Sequence, residues 1–239
     1  MGLFSSVIHV RGANQEAVCK ALIDVLPKWN FRFSEEQPVS RILQPGTGED
    51  VRYLVSPLLG SWSTIIQDRF AGSAVPCLTE LAERLSAALG TYTLALMVHD
   101  DDVLYYNLCG NGADLDGYNS NPQYFETSRL SEDSIAEQRH GPLAFAPLLP
   151  DRVSLIQLEN ILDRGWWSAW KNGRLDADGI EQEDEQQFVS EEERMIAIGN
   201  LLQLHGESDG YPFASYADDS SIVWKQFRDL RFRQDHPQS

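Results

Sequence analysis

Basic residues are scarce in this chain: 19 Lys and Arg stand against 36 Asp and Glu over 239 residues, for a formal net charge of −17. Affinity for nucleic acid comes mainly from cations that neutralise phosphates, so direct nucleic-acid binding is not expected. Anionic lipid is repelled for the same reason. Cysteine is scarcer still. Cys19, Cys77 and Cys109 are odd in number and far apart. That excludes a disulfide framework and a Cys-x-x-Cys metal knuckle, and it suits a reducing cytoplasm. No apolar run approaches the roughly 20 residues of a membrane span. Residues 1–7 lack a basic stretch followed by a long apolar one, so no secretion signal is expected. Gly2 and Ser6 fit the loose N-myristoylation pattern, although a strand beginning at Leu3 explains them equally well. A Walker loop, a Rossmann fingerprint, a nucleophile elbow and a zinc helix are all missing. No cofactor is expected.

What remains is an ordinary globular composition, 42% hydrophobic and 23% charged. It is enough for one large domain or two small ones with a substantial core. Val7, Ile8 and Val10 have strand character. Asn14 then caps a helix that places Ala17, Val18, Ala21, Leu22, Val25 and Leu26 on one face, and Pro27 marks its end. Phe31 and Phe33 alternate as a strand, with a short further strand at 39–43. Residues 51–55 and 62–66 read as a hairpin. A helix follows, with Leu78, Leu81, Ala82, Leu85, Ala88 and Leu89 inward and Gly90 at its C-terminus. Strands at 92–98 and 103–109 meet at the turn His99-Asp100-Asp101-Asp102. Asn111-Gly112 gives the strongest hairpin signal.

This order predicts an α+β fold, an antiparallel sheet with helices packed on one face, over residues 1–126. Residues 127–239 read as a mainly helical C-terminal region packed on it, within one domain or as a second. Leu155, Leu158, Ile161 and Leu162 form one helical stripe. Trp166, Trp167 and Trp170 crowd a second segment. Ser190 and Glu193 open a third helix as a capping box. Short strands or extended loop are expected at 211–224. In the tail, Lys225, Arg228, Arg231 and Arg233 interleave with Trp224, Phe227, Leu230 and Phe232, an amphipathic closing segment suited to the protein's own acidic body.

The densest signal is a run of nine acidic side chains and no basic one between Asp176 and Glu193. Such a surface attracts basic protein. Glu181, Glu183, Asp184 and Glu185 are the expected source of long-range attraction, with Trp166, Trp167 and Tyr211 as aromatic anchors for close packing. The plainer expectation for the tryptophans is core packing. Asp176-x-Asp178-Gly179…Glu185 has part of an EF-hand pattern, but Arg174 stands at the first ligand position and Glu181 where an apolar anchor belongs, leaving at most weak divalent binding. His99, Asp100 and Asp102 could serve a metal-assisted hydrolase, although three consecutive aspartates on a hairpin tip cannot all face one ion. Cys77 with His99 or His140 has the residue types for thiol catalysis without a supporting spacing.

Trp62-Ser-Thr-Ile-Ile-Gln-Asp68, Leu85-Ser86, His99-Asp-Asp-Asp-Val-Leu-Tyr-Tyr106 and Tyr118-Asn-Ser-Asn-Pro-Gln-Tyr-Phe125 all lie within residues 50–126. This stretch resembles a loose group of bacterial α+β proteins of uncharacterised activity. They share a Trp hairpin, a helix, a D-x-D-V strand and a Y-N-S-x-P-x-Y-F turn. In overall character the chain is similar to the immunity proteins of polymorphic and contact-dependent toxins. The first likeness implies a fold and the second a role. Neither carries over a site residue. The expected function is that of a non-enzymatic immunity or inhibitor protein that binds a basic toxin domain. The alternatives are the metal-assisted hydrolase and a non-inhibitory adaptor.

Overall fold

The computed structural model describes residues 5–39, 50–67, 77–138, 141–174, 190–204 and 226–234. Along the chain these form β1 (Ser5–Arg11), α1 (Gln15–Val25), β2 (Phe31–Pro38), β3 (Asp50–Val55), β4 (Trp62–Gln67), α2 (Leu78–Leu89), β5 (Tyr92–His99), β6 (Val103–Gly110) and β7 (Ala113–Asn119). Then come α3 (Glu132–Glu137), α4 (Leu155–Leu162), α5 (Trp166–Lys171), α6 (Glu191–Leu202) and β8 (Arg228–Gln234). The strands make a single sheet of eight in the order β2-β8-β3-β4-β1-β5-β6-β7. Every pairing in it is antiparallel. The α+β class and the antiparallel sheet are as the sequence predicts.

Local chemistry explains the element ends. The Asn14 side chain accepts a hydrogen bond from the Ala17 amide at 2.9 Å, which stabilises α1 by about 1 kcal/mol. Past Val25 the chain tightens into a 3₁₀ turn at Leu26–Trp29, with Pro27 in its first turn where no amide is needed. Gly90 closes α2 in the left-handed conformation, φ 62°. At the β6–β7 hairpin Asn111 and Gly112 take φ 51° and 82°, the pair of positive angles that a two-residue primed turn requires. A Cβ on Gly112 would lie 2.8 Å from that of Ala87, so the turn also depends on close approach to α2.

Helices cover both faces of the sheet. On one, α1 and α2 pack against Ile8, Val10, Tyr53, Ile65, Ala95, Leu230 and Phe232. On the other, α4, α5, α6 and a 3₁₀ turn at Pro142–Phe145 pack against Val7, Trp62, Leu94, Leu96, Leu104, Tyr106 and Tyr118. The helices of residues 1–126, α1 and α2, thus share one face as expected, and the C-terminal helices take the other. This two-sided cover had a signal in the sequence: central strands read as continuous apolar runs, the mark of strands buried on both sides.

The mainly helical C-terminal region needs a correction. Residues 228–234 form a strand, β8, inserted between β2 and β3. Leu230 and Phe232 alternate with Asp229, Arg231 and Arg233, a period of two that fits a sheet. The closing segment thus docks on the protein itself, but through strand pairing. Arg228 donates a fork of hydrogen bonds to Glu36 on β2 at 2.6 and 2.7 Å and also pairs with Glu16 at the start of α1. A boundary at residue 126 would divide the sheet from one of its own inner strands.

Two indoles fasten helices to the sheet. Trp62 Nε1 donates to the Leu202 carbonyl at 3.1 Å and Trp167 Nε1 to the Asn119 carbonyl at 2.8 Å. A buried indole N–H without an acceptor is costly, so these bonds fix where α6 and α5 sit.

Candidate functional site

The β5–β6 turn is built from aspartates in an unusual backbone state. Asp100 and Asp101 take φ 52° and 66°, angles that favour glycine and that Asp and Asn tolerate best among other residues. The Asp102 amide closes the turn on the His99 carbonyl at 3.1 Å. Its conformation is used by α6. The Glu191 amide donates to the Asp101 carbonyl at 3.2 Å, and the Glu192 amide to the Asp101 carboxylate at 3.2 Å. Ser190 caps the same helix by accepting from the Glu193 amide at 3.3 Å. Two of the orphan amides at the helix start are therefore satisfied by the hairpin tip, where the helix dipole favours negative charge.

This tether brings two acidic segments together, Asp100–Asp102 and Glu191–Glu193, the latter being the end of the long acidic run. Burial, then Asp101 and Glu193, raise the Glu192 carboxyl above its ordinary value. No Lys or Arg occurs between Arg84 and Arg129, so β5, β6, β7 and the turn after them supply no cation of their own.

Aromatic rings adjoin the acids. Tyr124 donates its hydroxyl to Asp102 at 2.8 Å, which is the leading reason its phenol is raised. His99 lies edge-on to Phe125 at 5.0 Å and to Tyr124 at 6.3 Å, and Tyr124 meets Phe125 edge-on at 4.8 Å. Phe125 is 55% exposed and Tyr124 39%.

Below this surface lies a buried polar knot. Arg194, on α6, reaches Nη1 toward the Tyr118 hydroxyl at 2.9 Å and the carbonyls of Ile161, Leu162 and Arg164 at 3.0 to 3.2 Å. One nitrogen with two hydrogens faces four oxygens, so these bonds are shared. The carbonyls belong to the end of α4, where a cation also answers the helix dipole. Arg194 Nε lies 2.8 Å from Glu191 Oε2, but neither atom makes an aligned hydrogen bond, so the pair attracts mainly by charge. Burial pushes the Glu191 carboxyl above 4.5, with Arg194 working against it.

That shift has a sign that can be checked. A carboxyl raised in the fold favours folding below its unfolded value, and this contribution is lost as pH rises through the raised value. Glu36 behaves oppositely. Hydrogen bonds from Arg228 hold it below 4.5, so its contribution is present above that value and lost as pH falls through the lowered one. Because Glu36 is 39% exposed, that contribution stays under about 1 kcal/mol. In a side-chain NMR titration Glu191 is expected to have its midpoint above 4.5 and Glu36 below. Coincident midpoints would contradict both environments.

The sequence-derived site residues fare unevenly. Glu181, Glu183, Asp184, Glu185 and Tyr211 lie outside the described residues, as do the partial EF-hand pattern and His140. Trp166 and Trp167 are 3% and 0% exposed. Both belong to the core around α5, edge-on to each other at 5.2 Å, and cannot anchor a partner from there. Trp170 is half-buried and stacks on Trp166. Exposed aromatic rings occur instead at Tyr124 and Phe125. Their signal was the Tyr118–Phe125 turn motif, whose polar residues suggested only turn chemistry.

Of the hydrolase alternative's residues, Asp102 accepts from Tyr124 and His99 lies edge-on to Tyr124 and Phe125. Asp101, between the two aspartates of that alternative, caps α6. Among the described residues no group of three or more His, Cys, Asp or Glu is placed to hold a metal. Cys77 is exposed at the N-terminus of α2. Burial acts to raise its thiol, but hydrogen bonds from Thr79 and from the Thr79 and Glu80 backbone outweigh it, leaving it below the ordinary value. The His99 ring meets Tyr124 and Phe125, and the Cys77 sulfur bonds Thr79 at 3.1 Å. Among the described residues, no helix is long and apolar enough to cross a membrane. The chain matches no protein-family model, no curated protein and no solved structure.

Proposed function

We propose that this chain is an inhibitor of the immunity type, which binds a basic effector domain and occludes its active site. One observation carries the proposal: the tether between Asp101 and the start of α6, which gathers Asp100–Asp102 and Glu191–Glu193 at one end of the sheet. Like charges separate unless something holds them, and here backbone bonds do so. A net charge of −17 adds a long-range field. Opposite charge can raise association to about 10⁸–10⁹ M⁻¹s⁻¹, against about 10⁵–10⁶ without steering. Speed has value where a toxin must be silenced before it turns over.

The test is capture of the natural partner on the immobilised protein, followed by assay of that partner alone and in complex. The partner is expected to be basic across the contact and to lose its activity at equimolar ratio. Neutralising Glu181, Glu183, Asp184 and Glu185 together should slow association about tenfold or more at low salt and flatten its dependence on ionic strength. An equally acidic partner, or one fully active in the complex, would end the proposal.

A further inference from the structure

The geometry points to a specific seat on this surface: the Tyr124–Phe125 corner beside the β5–β6 turn takes an arginine side chain from a cationic protein segment. The inference rests on the acidic-surface proposal and deepens it by naming the anchor and the residue it receives. Tyr124 and Phe125 are consecutive, and their rings stand at 86° to each other, so they form two walls rather than a flat stack. Phe125 also meets His99 at 73°. These contacts are edge-on, and Phe125 keeps 55% of its area exposed. A half-exposed apolar ring beside the aspartates of this turn suits a ligand that carries both charge and a flat hydrophobic face.

Guanidinium meets that description better than ammonium. It is planar, weakly hydrated, stacks on aromatic faces and forks onto carboxylates, whereas a lysine head is a compact and strongly hydrated point charge. Stacked on Phe125, its edge would turn toward Asp100 and Asp102. Asp102 already accepts from the Tyr124 hydroxyl, but a carboxylate offers about four acceptor sites, so a donor more is accommodated. The seat is also pre-organised, which lowers the ordering cost of binding. Asp100 and Asp101 are fixed in the left-handed region, and Asp101 is tied to the first amides of α6.

The test uses the full chain with two blocked peptides, hexaarginine and hexalysine, titrated at low salt and followed by amide NMR shifts. Hexaarginine is expected to bind about fivefold more tightly than hexalysine, with saturable shifts centred on residues 99–102 and 123–126. Phe125→Ala should remove that preference while leaving hexalysine binding unchanged. Being an exposed ring, its loss should not disturb the fold, and a circular dichroism melt checks this. Glu132→Gln with Asp133→Asn, on exposed α3, should weaken both peptides equally and keep the preference. If both peptides bind equally well and Phe125→Ala changes nothing, the arginine seat is refuted and the acidic surface stands. Failure of both peptides to bind would overturn the surface as well.

Discussion

Asp229→Ala is expected to cost about 3–5 kcal/mol of folding stability, because it removes a buried carboxylate that pairs with a buried guanidinium. Asp229 on β8 faces Arg52 on β3 across the sheet, with contacts of 2.5 Å and 3.4 Å. The two side chains are 1% and 3% exposed. Water therefore cannot replace the lost carboxylate. Arg231 also approaches Asp229, at 3.8 Å, but it is 29% exposed and can turn to solvent. The loss should fall on Arg52 and on the pairing of β8 with β3. The pair need not be a net source of stability, since desolvating two charges is itself expensive. Arg52→Met combined with Asp229→Leu should accordingly recover most of the deficit. Chemical denaturation of the single and double variants checks both halves. A double variant no better than Asp229→Ala would show that the ion pair is not what the site requires.

That pair also marks what the sequence could and could not disclose. Caps, turns and helix faces were legible because they depend on neighbours. Asn14 needs only the amide three residues on, and Asn111-Gly112 needs only its own backbone angles. The place of β8 was not legible. Its alternation of Leu230 and Phe232 with charged residues was visible, but its partners are chosen by contacts across 177 residues for Arg52–Asp229 and 192 for Arg228–Glu36. Nothing local selects among the acids available to those arginines. The candidate site has the same character. Each acidic segment was plain on its own, whereas their meeting depends on Asp101 serving α6 from 91 residues away. The tryptophans show the converse. A cluster of three indoles suits either a core or an exposed anchor, and only the carbonyl of Asn119 waiting for Trp167 decides for the core.

Arg194→Met should be the most damaging change beneath the acidic surface, at about 3–5 kcal/mol near neutral pH. It removes the cation that closes the end of α4, takes a donor from the Tyr118 hydroxyl, and leaves Glu191 buried beside Asp101 without the guanidinium that offsets its charge. Tyr118 still donates to the Leu162 carbonyl at 2.7 Å, so its own bond is only half lost. Glu191 is the group most penalised, and that makes the deficit depend on pH. Without Arg194 the Glu191 carboxyl rises further above 4.5, and a raised carboxyl withdraws its support as pH increases through the raised value. The deficit should therefore be largest at neutral pH and shrink toward pH 4.5, where Glu191 protonates in both folded and unfolded chains. Arg194→Lys keeps the charge but not the planar fork, so it should recover the pH dependence more fully than the stability itself. Thermal melts of the three proteins across this range separate the terms. A deficit for Arg194→Met that is the same at acidic and neutral pH would mean that the carbonyls of α4, and not Glu191, are what Arg194 serves. In that case the acidic surface would owe its arrangement to the Asp101 tether alone.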